Sequence, residues 1–306
     1  MTGPMEPRPT GGEPAPRPSP VRRAREAGTA HRPRLGVVKF ASCDGCQLTL
    51  LDLEDELLAL TERFDIVEFA EATSRRSDGP YDVLLVEGSI STEEQAEEIV
   101  RLRRQATLLV TIGACATAGG IQALRNWADE PTFRAAVYAH PEFIDSLAIS
   151  TPISDHVAVD VELRGCPIDP GQLVELLTAL LVGRRAQLPD EAVCLECKRR
   201  NAVCVAVTGG FACLGPVTRT GCGALCPAYG RGCYGCFGPR ETSNARGLVR
   251  HLEVVEGRAP ADVGRLFAGF TAFAEPFRTI VTELGGVAPA GKSPATITPS
   301  RESRDA

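Results

Sequence analysis

The sequence predicts an α/β protein, in which a flavodoxin-like, doubly wound parallel sheet is followed by a smaller, cysteine-rich C-terminal domain. Short apolar runs alternate with helical patterns from residue 35 to residue 185, which is the order that yields a parallel sheet covered on both faces. The run Asp82-Val-Leu-Leu-Val86 is almost entirely apolar, as in a strand buried on both faces. Residues 191–240 instead hold eight cysteines and nine glycines, with few large apolar side chains.

Five strands and four helices make up the predicted sheet domain. The strands cover residues 35–41, 64–70, 82–86, 107–112 and 157–163, and the helices cover 48–60, 91–103, 116–124 and 171–181. The helix at 91–103 begins Ser91-Thr-Glu-Glu, which is a good signal for a helix N-terminus. Right-handed crossovers between parallel strands then predict the flavodoxin-like arrangement.

Changes in composition predict the domain boundaries. Residues 1–34 contain eight prolines, four glycines and seven arginines, and we expect a disordered arm there. The sheet domain should occupy residues 35–185, the C-terminal domain residues 190–285, and a second disordered segment residues 286–306. Helical spacing from 244 to 285 predicts one or two helices. Their candidate packing residues are Leu248, Leu252, Val255, Leu266, Phe270 and Phe273.

Composition and charge exclude several classes of function. A net charge of −6 and an aromatic share of 5% argue against nucleic-acid binding. The longest apolar runs are too short to span a bilayer, and no apolar segment follows Arg22-Arg23, so no export signal is expected. We therefore expect a cytoplasmic protein. In that reducing compartment, twelve cysteines indicate metal binding and not disulfides.

Four cysteines follow three predicted strands of the sheet domain. Cys43 and Cys46 follow the first strand, Cys115 the fourth and Cys166 the fifth. Ligands of an open parallel sheet bind beyond the carboxyl ends of its strands, so these four thiolates are expected to meet at one site. The free N–H groups at the start of the helices carrying Cys46 and Cys115 favour an anionic iron–sulfur cluster. The alternatives are a zinc site or ordinary buried cysteines.

The other eight cysteines lie within 194–236 and divide into two sets of four. The outer Cys-x₂-Cys pairs, 194/197 and 233/236, are strong metal-binding signals, whereas the middle spacings are weaker. Cys226-Pro227 matches the Cys-Pro step of ferredoxin sequences. Two clusters here would provide the free energy that a weak apolar core lacks. A pair of zinc knuckles is the alternative.

Five motifs together resemble the small subunit of [NiFe]-hydrogenases across residues 35–240. The motifs are Ser42-Cys-Asp-Gly-Cys46, Val86-Glu-Gly-Ser-Ile90, Gly113-Ala-Cys-Ala-Thr-Ala-Gly-Gly120, Gly165-Cys-Pro-Ile-Asp-Pro170 and Gly232-Cys-Tyr-Gly-Cys236. Any one of them would be weak evidence, but their order and spacing are specific. The sheet domain also resembles the cluster-bearing 20-kDa subunit of respiratory complex I, which lacks a segment like 191–240.

The resemblance implies three [4Fe–4S] clusters held by all twelve cysteines as iron ligands. It implies a proximal cluster on Cys43, Cys46, Cys115 and Cys166. It implies a distal cluster on Cys194, Cys197, Cys204 and Cys213. The medial cluster falls to Cys222, Cys226, Cys233 and Cys236.

Two residues depart from the membrane-linked members of that family. Those members use His in place of Cys194, and they place Pro where Cys226 stands, which leaves a three-iron medial cluster. The presence of Cys226 therefore implies a medial [4Fe–4S] cluster. Both departures resemble the cytoplasmic group-3 enzymes, which include the sulfhydrogenase delta subunit.

The resemblance implies an electron-transfer subunit of a hydrogenase, an oxidoreductase, with no catalytic residue in this chain. Electrons would pass between a Ni–Fe site in a large subunit and a flavin- or ferredoxin-type subunit, with NAD, NADP, F420 or polysulfide as open choices of acceptor. Glu87 ends the third strand and is interpreted as a capping or solvated carboxylate. The alternatives are an H₂- or redox-sensing subunit, a complex I-related subunit and a zinc-stabilised interaction protein.

Overall fold

A five-stranded parallel sheet forms the N-terminal half of the computed structural model, which describes residues 32–285. The strands are β1 (Arg34–Lys39), β2 (Asp65–Phe69), β3 (Tyr81–Glu87), β4 (Ala106–Ile112) and β5 (Val161–Leu163). Their order across the sheet is β2-β1-β3-β4-β5, and every neighbouring pair is parallel. This is the flavodoxin-like order, so the predicted fold class is confirmed.

Helices cover both faces of the sheet and continue beyond it. In the sheet domain they are α1 (Gly45–Leu51), α2 (Asp55–Arg63), α3 (Glu93–Gln105), α4 (Gly113–Ala118), α5 (Glu130–Val137) and α6 (Pro170–Val182). Short 3₁₀ turns occupy Ile121–Trp127, Pro141–Phe143 and Ile153–Asp155. The C-terminal part contains α7 (Val193–Arg199), α8 (Val205–Gly209), α9 (Leu225–Ala228), α10 (Ala245–Arg250), α11 (Pro260–Phe267) and α12 (Phe277–Gly285). A π-helical turn, His251–Val255, extends α10.

Two apolar cores sandwich the sheet because successive strand residues point to opposite faces. On β3, Val83 and Leu85 join one core together with α1, α2 and α6. Leu84 and Val86 join the other, together with α3. All four side chains are fully buried, which explains why the sequence of this central strand is continuously apolar. The helices therefore hold the sheet rigidly from both sides.

Three predicted elements of the sheet domain were wrong in extent. The helix expected over 48–60 is broken into α1 and α2 at Glu54, which has a φ of 48°; beside the break, Leu53 is buried in the core. The helix expected over 116–124 stops at Gly119-Gly120, because both glycines have positive φ. The strand expected to begin at residue 157 begins only at Val161, since the carboxylate of Asp160 accepts the Leu109 N–H. By contrast, α3 has the predicted cap, with a complete capping box at Thr92.

The C-terminal helices pack on the sheet domain through a third core. The core contains Phe267, Phe277 and Ile280 together with Trp127 from the sheet domain. The Trp127 ring meets Phe273 edge-on at a centroid distance of 5.7 Å. Its indole N–H donates to the Thr282 hydroxyl at 3.1 Å. The two parts of the chain therefore share an apolar interface.

The C-terminal helices differ partly from the prediction. Three helical segments form where one or two were expected, because Pro260 and Pro276 interrupt the chain. Of the predicted packing residues, Leu252 and Phe273 are buried, and Leu248 and Leu266 pack at the edge of the core. Val255 is 71% exposed and Phe270 is 37% exposed, so these two assignments were wrong.

The predicted terminal segments fall mostly outside the described residues. Only residues 32–34 of the predicted arm are described, and Arg34 already belongs to β1. The predicted tail, 286–306, lies wholly outside them. Within residues 32–285, no helix is both long and apolar enough to cross a bilayer.

Candidate iron–sulfur sites

The first four cysteines lie at the carboxyl edge of the sheet. Cys43 lies in the loop after β1, Cys46 in the first turn of α1, Cys115 in α4 and Cys166 in the loop after β5. Cys43 is exposed, Cys46 is buried and the other two are half-buried. The fold therefore brings three βα loops to one edge, as the sequence predicted.

Glycines allow these loops to approach one another. A Cβ atom on Gly113 would lie 2.4 Å from the Cys46 sulfur, and one on Gly120 would lie 2.6 Å from the Cys115 sulfur. Both glycines have positive φ, a conformation that side chains disfavour. The loop of β5 is tied in by the Ala114 N–H, which donates to the Gly165 carbonyl at 2.7 Å. Backbone thus packs directly against the sulfurs of this site.

The thiols of this group are electrostatically coupled. Burial raises the pKa of Cys46, and the charges of Glu87, Cys115 and Cys166 raise it further. Burial also raises the pKa of Cys115 to about 11, with contributions from the charges of Cys166 and Cys43. Four neighbouring thiolates oppose one another's ionisation, and bound iron would remove that opposition. The donor chemistry therefore fits a cationic iron centre.

Polar donors also point at these sulfurs. The backbone of Ile168 lowers the pKa of the Cys46 thiol, against the larger effect of burial. The Gln122 side-chain amide lies 3.6 Å from the Cys115 sulfur and also donates to the Ala41 carbonyl at 2.8 Å. N–H groups of this kind stabilise thiolates that ligate iron–sulfur clusters.

Glu87 is buried beneath this site and is not solvated. Its carboxylate accepts the Cys46 N–H at 3.1 Å and the Gln47 side-chain amide at 3.0 Å. Desolvation raises the pKa of this carboxyl. The capping interpretation is therefore confirmed, whereas the solvated one was wrong, since only 1% of the residue is exposed.

The other eight cysteines occupy short helices and loops after the sheet domain. Cys194 and Cys197 lie on α7, and Cys226 lies on α9. Cys204 immediately precedes α8 and is exposed. The rest lie in loops: Cys213, Cys222, Cys233 and Cys236. The local apolar core is small, with Val193, Ala224 and Cys233 as its only buried members among the described residues.

Burial and neighbouring thiols raise the pKa of several of these eight cysteines. Burial raises the pKa of Cys194 to about 11, and the charges of Cys213, Cys197 and Cys204 add to it.

For the second set, burial raises the pKa of Cys236 to about 12, with contributions from Cys222, Cys166 and Cys226. Burial likewise raises the pKa of Cys233, and the charges of Cys213 and Cys236 add to it. The charge of Cys166, at the sheet edge, thus acts on Cys236. The charge of Cys213, which belongs to the set with Cys194, acts on Cys233.

Backbone N–H groups surround several of these sulfurs. The Cys213 sulfur accepts from the N–H of Cys233 at 3.2 Å and from that of Gly215 at 3.4 Å. The Cys233 sulfur accepts from the Gly235 N–H at 3.4 Å. A Cβ on Gly215 would lie 3.3 Å from the Cys213 sulfur and 3.6 Å from that of Cys194. The sulfurs of both Cys213 and Cys194 therefore pack against Gly215.

The cysteine chemistry fits iron–sulfur ligation. All twelve cysteines are free thiols. Among the described residues, no three His, Cys, Asp or Glu side chains converge closely enough to hold a single metal ion. Cluster ligands are expected to be buried thiols that oppose one another's ionisation. Backbone N–H donors and glycines are expected beside their sulfurs.

One functional candidate was missed from sequence. Glu196 lies between Cys194 and Cys197 on α7, and its two carboxylate oxygens accept the N–H groups of Gly221 and Ala224 at 2.9 and 3.1 Å. It thus joins α7 to the loop that carries Cys222. The sequence did contain a signal for this residue, because an acidic side chain stands between the two cysteines of a Cys-x₂-Cys pair.

The chain is similar to several known proteins. A family model described as NADH ubiquinone oxidoreductase, 20 Kd subunit, matches residues 43–180. Sulfhydrogenase 2 subunit delta of Pyrococcus furiosus is 38% identical over 222 residues, which span 72% of this chain and 93% of that protein. A vhu subunit of the F420-non-reducing hydrogenase of Methanocaldococcus jannaschii is 32% identical over 240 residues, which span 69% and 83% respectively.

A solved structure supports the fold. One chain of the H₂-activated [NiFeSe]-hydrogenase of Dm. baculatum superposes with a TM-score of 0.50 at 17% identity, covering 70% of this chain and 96% of that one. At this identity the likeness supports the fold alone.

Proposed function

Because this chain belongs to the family of hydrogenase small subunits that includes sulfhydrogenase 2 subunit delta, we propose that it conducts electrons through three [4Fe–4S] clusters. The electrons pass between a Ni–Fe site in a partner large subunit and a second redox partner. What supports this proposal is the placement of twelve free cysteines, four at the carboxyl edge of the sheet and eight on the short helices and loops of residues 194–236.

The proposed ligand sets follow the order of the cysteines along the chain and the family resemblance. The proximal set is Cys43, Cys46, Cys115 and Cys166. The medial set is Cys222, Cys226, Cys233 and Cys236. The distal set is Cys194, Cys197, Cys204 and Cys213. A hydrogen bond between sets supports this order, because the N–H of the medial Cys233 donates to the sulfur of the distal Cys213 at 3.2 Å.

Bound clusters would supply one-electron redox chemistry, and the protein residues would set the conditions for it. Backbone N–H groups of Gly215 and Gly235 stabilise negative charge on the sulfurs of Cys213 and Cys233, which favours the reduced state. The buried carboxylate of Glu87 holds the first turn of α1 in place through the Cys46 N–H. No residue of this chain is assigned to H₂ activation.

The surface around Cys204 supports the proposed site of electron exchange with the second partner. Val203, Val207 and Phe211 are 66%, 83% and 53% exposed there. Val203 and Phe211 line a groove of about 570 Å³, together with Arg200. An apolar surface with a basic edge suits a protein partner. We propose a flavin- or ferredoxin-type subunit, linked to NAD(P) or F420.

Because all twelve cysteines are free, we also propose a reducing, cytoplasmic location. The complex I-related alternative is less well supported, because the family model ends at residue 180 and leaves eight cysteines without a role. No observation favours the sensor alternative.

The test is purification of the complex without air, followed by metal analysis and an H₂-dependent viologen-reduction assay. We expect about twelve irons and no zinc per chain, at four irons per cluster, together with a co-purifying large subunit. Zinc in the cysteine sites, or about four irons per chain, would refute the three-cluster proposal. Full iron without H₂-dependent reduction would refute the hydrogenase role alone.

A further inference from the structure

Glu196 lies between two of the proposed cluster sites. It is part of α7, whose cysteines Cys194 and Cys197 belong to the proposed distal set. Its carboxylate oxygens accept the N–H groups of Gly221 and Ala224, which flank the medial ligand Cys222. The Glu196 side chain therefore links α7, which carries two ligands of the distal set, to the backbone around the medial ligand Cys222.

The bridged loop has other hydrogen bonds as well: the Arg200 side chain donates to the Gly223 carbonyl at 2.7 Å, and the Thr220 N–H donates to the Glu191 carbonyl at 2.9 Å. Ala224 has a φ of 54°, in the left-handed region that residues with a side chain disfavour. The apolar cluster here is small, with Val193 and Cys233 as the other buried members described. Charge-assisted hydrogen bonds to a carboxylate are about twice as strong as neutral ones. The two hydrogen bonds that the Glu196 carboxylate accepts therefore help to hold this loop against α7.

The charge of Glu196 acts on ligands of both sets. Its carboxylate oxygens lie 2.9 and 3.1 Å from the backbone nitrogens of Gly221 and Ala224, on either side of Cys222, and on α7 it directly precedes Cys197. A negative charge near both sites favours the oxidised state of each cluster.

We propose that Glu196 is a positioning residue that fixes the medial and distal ligand loops against each other and lowers the reduction potential of both clusters. This inference rests on the proposed three-cluster function. Its consequence is that the medial and distal potentials are set together by one residue that is not itself an iron ligand.

The test compares Glu196→Gln with wild type in the anaerobic complex, by redox titration followed by EPR. The amide removes the negative charge and one hydrogen-bond acceptor, so reduction of both clusters should become easier. We expect about a tenfold shift in each reduction equilibrium, equivalent to ~59 mV for a one-electron couple. Glu97→Gln is the matched control, because Glu97 is an exposed residue of α3 on the sheet domain.

Glu196→Asp separates charge from position, because its shorter side chain keeps the charge but not both hydrogen bonds. We expect its potentials to stay nearer wild type while the EPR lines of the medial cluster broaden. Unchanged potentials in Glu196→Gln, or a shift of one cluster only, would overturn the inference. If Glu196→Gln loses iron, full iron in Glu196→Asp supports the inference, and equal loss overturns it.

Failure of this inference is distinguishable from failure of the proposed function. Wild-type iron content and viologen reduction test the function, whereas the potentials of the Glu196 variants test only the role of this residue.

Discussion

The sheet domain and the segment 191–240 differ in the size of the apolar core that holds their cysteines in place. At the sheet edge, Cys46 and Cys115 lie on helices packed against strands such as β3 and β4, whose inner residues are almost wholly inaccessible. In 191–240, helices of four to seven residues flank an apolar cluster with three buried members described, while Leu214 and Val217 pack into the core formed with the C-terminal helices. A site built on a large core should keep its shape without iron, whereas a site with a small core should depend on it.

Removal of iron should therefore produce the largest difference between the two regions. We expect the amides of residues 193–236 to lose hydrogen-exchange protection on the order of a hundredfold or more, since ~2.7 kcal/mol of ligand-derived stability gives that factor. The amides of β3 and β4 should stay protected. Hydrogen-exchange mass spectrometry of the anaerobic protein, before and after chelation, measures both. Equal loss in the two regions would contradict the comparison.

Gly113→Ala should damage the proximal site while the sheet remains folded. A Cβ there would lie 2.4 Å from the Cys46 sulfur, so the sulfur has to move. We expect iron to fall from about twelve to about eight per chain, with little change in far-UV circular dichroism.

Gly257→Ala is the control for Gly113→Ala. Gly257 also has positive φ, at +67°, but nothing lies within 4 Å of an added Cβ. It should keep full iron despite the roughly 1–2 kcal/mol cost of its backbone conformation. Iron loss in both variants would show that backbone strain, and not the sulfur contact, is the cause.

Cys226→Pro should remove one iron from the medial site. A proline early in α9 is tolerated because N–H groups in the first turn have no helical partner, so the main change is the lost thiolate. We expect about eleven irons per chain, a three-iron medial cluster and a raised potential, since the potential depends on the cluster type. An unchanged EPR spectrum of the reduced protein would contradict the assignment of Cys226. Cys226→Ser controls for loss of the sulfur alone.

Trp127→Phe tests the interface between the two regions and should have the smallest effect. The phenyl ring keeps the aromatic contact with Phe273 but loses the hydrogen bond to Thr282. We expect a loss of about 1 kcal/mol in stability, measured as a small downward shift of the thermal midpoint with iron content unchanged. Thr282→Val should give a similar loss, and the double variant no more than either one, if this bond is responsible.

Elements with a strong local signal were predicted well. The strands β1 to β4 and the helices α3 and α6 lie within two residues of their predicted bounds, because apolar periodicity and a capping box are local properties. Breaks at Glu54 and at Gly119-Gly120 were missed, since each depends on what the flanking residues pack against. The exposure of Val255 and Phe270 was missed for the same reason.

The sequence predicted the candidate site of the sheet domain in more detail than the sites of residues 191–240. For the sheet domain, strand order and βα loops placed Cys43, Cys46, Cys115 and Cys166 at one edge, as the structure does. For 191–240, spacing and resemblance implied a division into two sets, and the structure adds the neighbours of each thiol. Glu196 was missed because its bonds to Gly221 and Ala224 join residues 25 and 28 positions away along the chain.

The order of apolar and polar residues by itself determined the parallel sheet, its covering helices and the number of thiols available, because each follows from local periodicity or from composition. Tertiary structure alone decided which backbone lies against which sulfur, how deeply Glu87 is buried and what Glu196 joins. Those properties depend on contacts between distant segments, and such contacts form only when the whole chain packs.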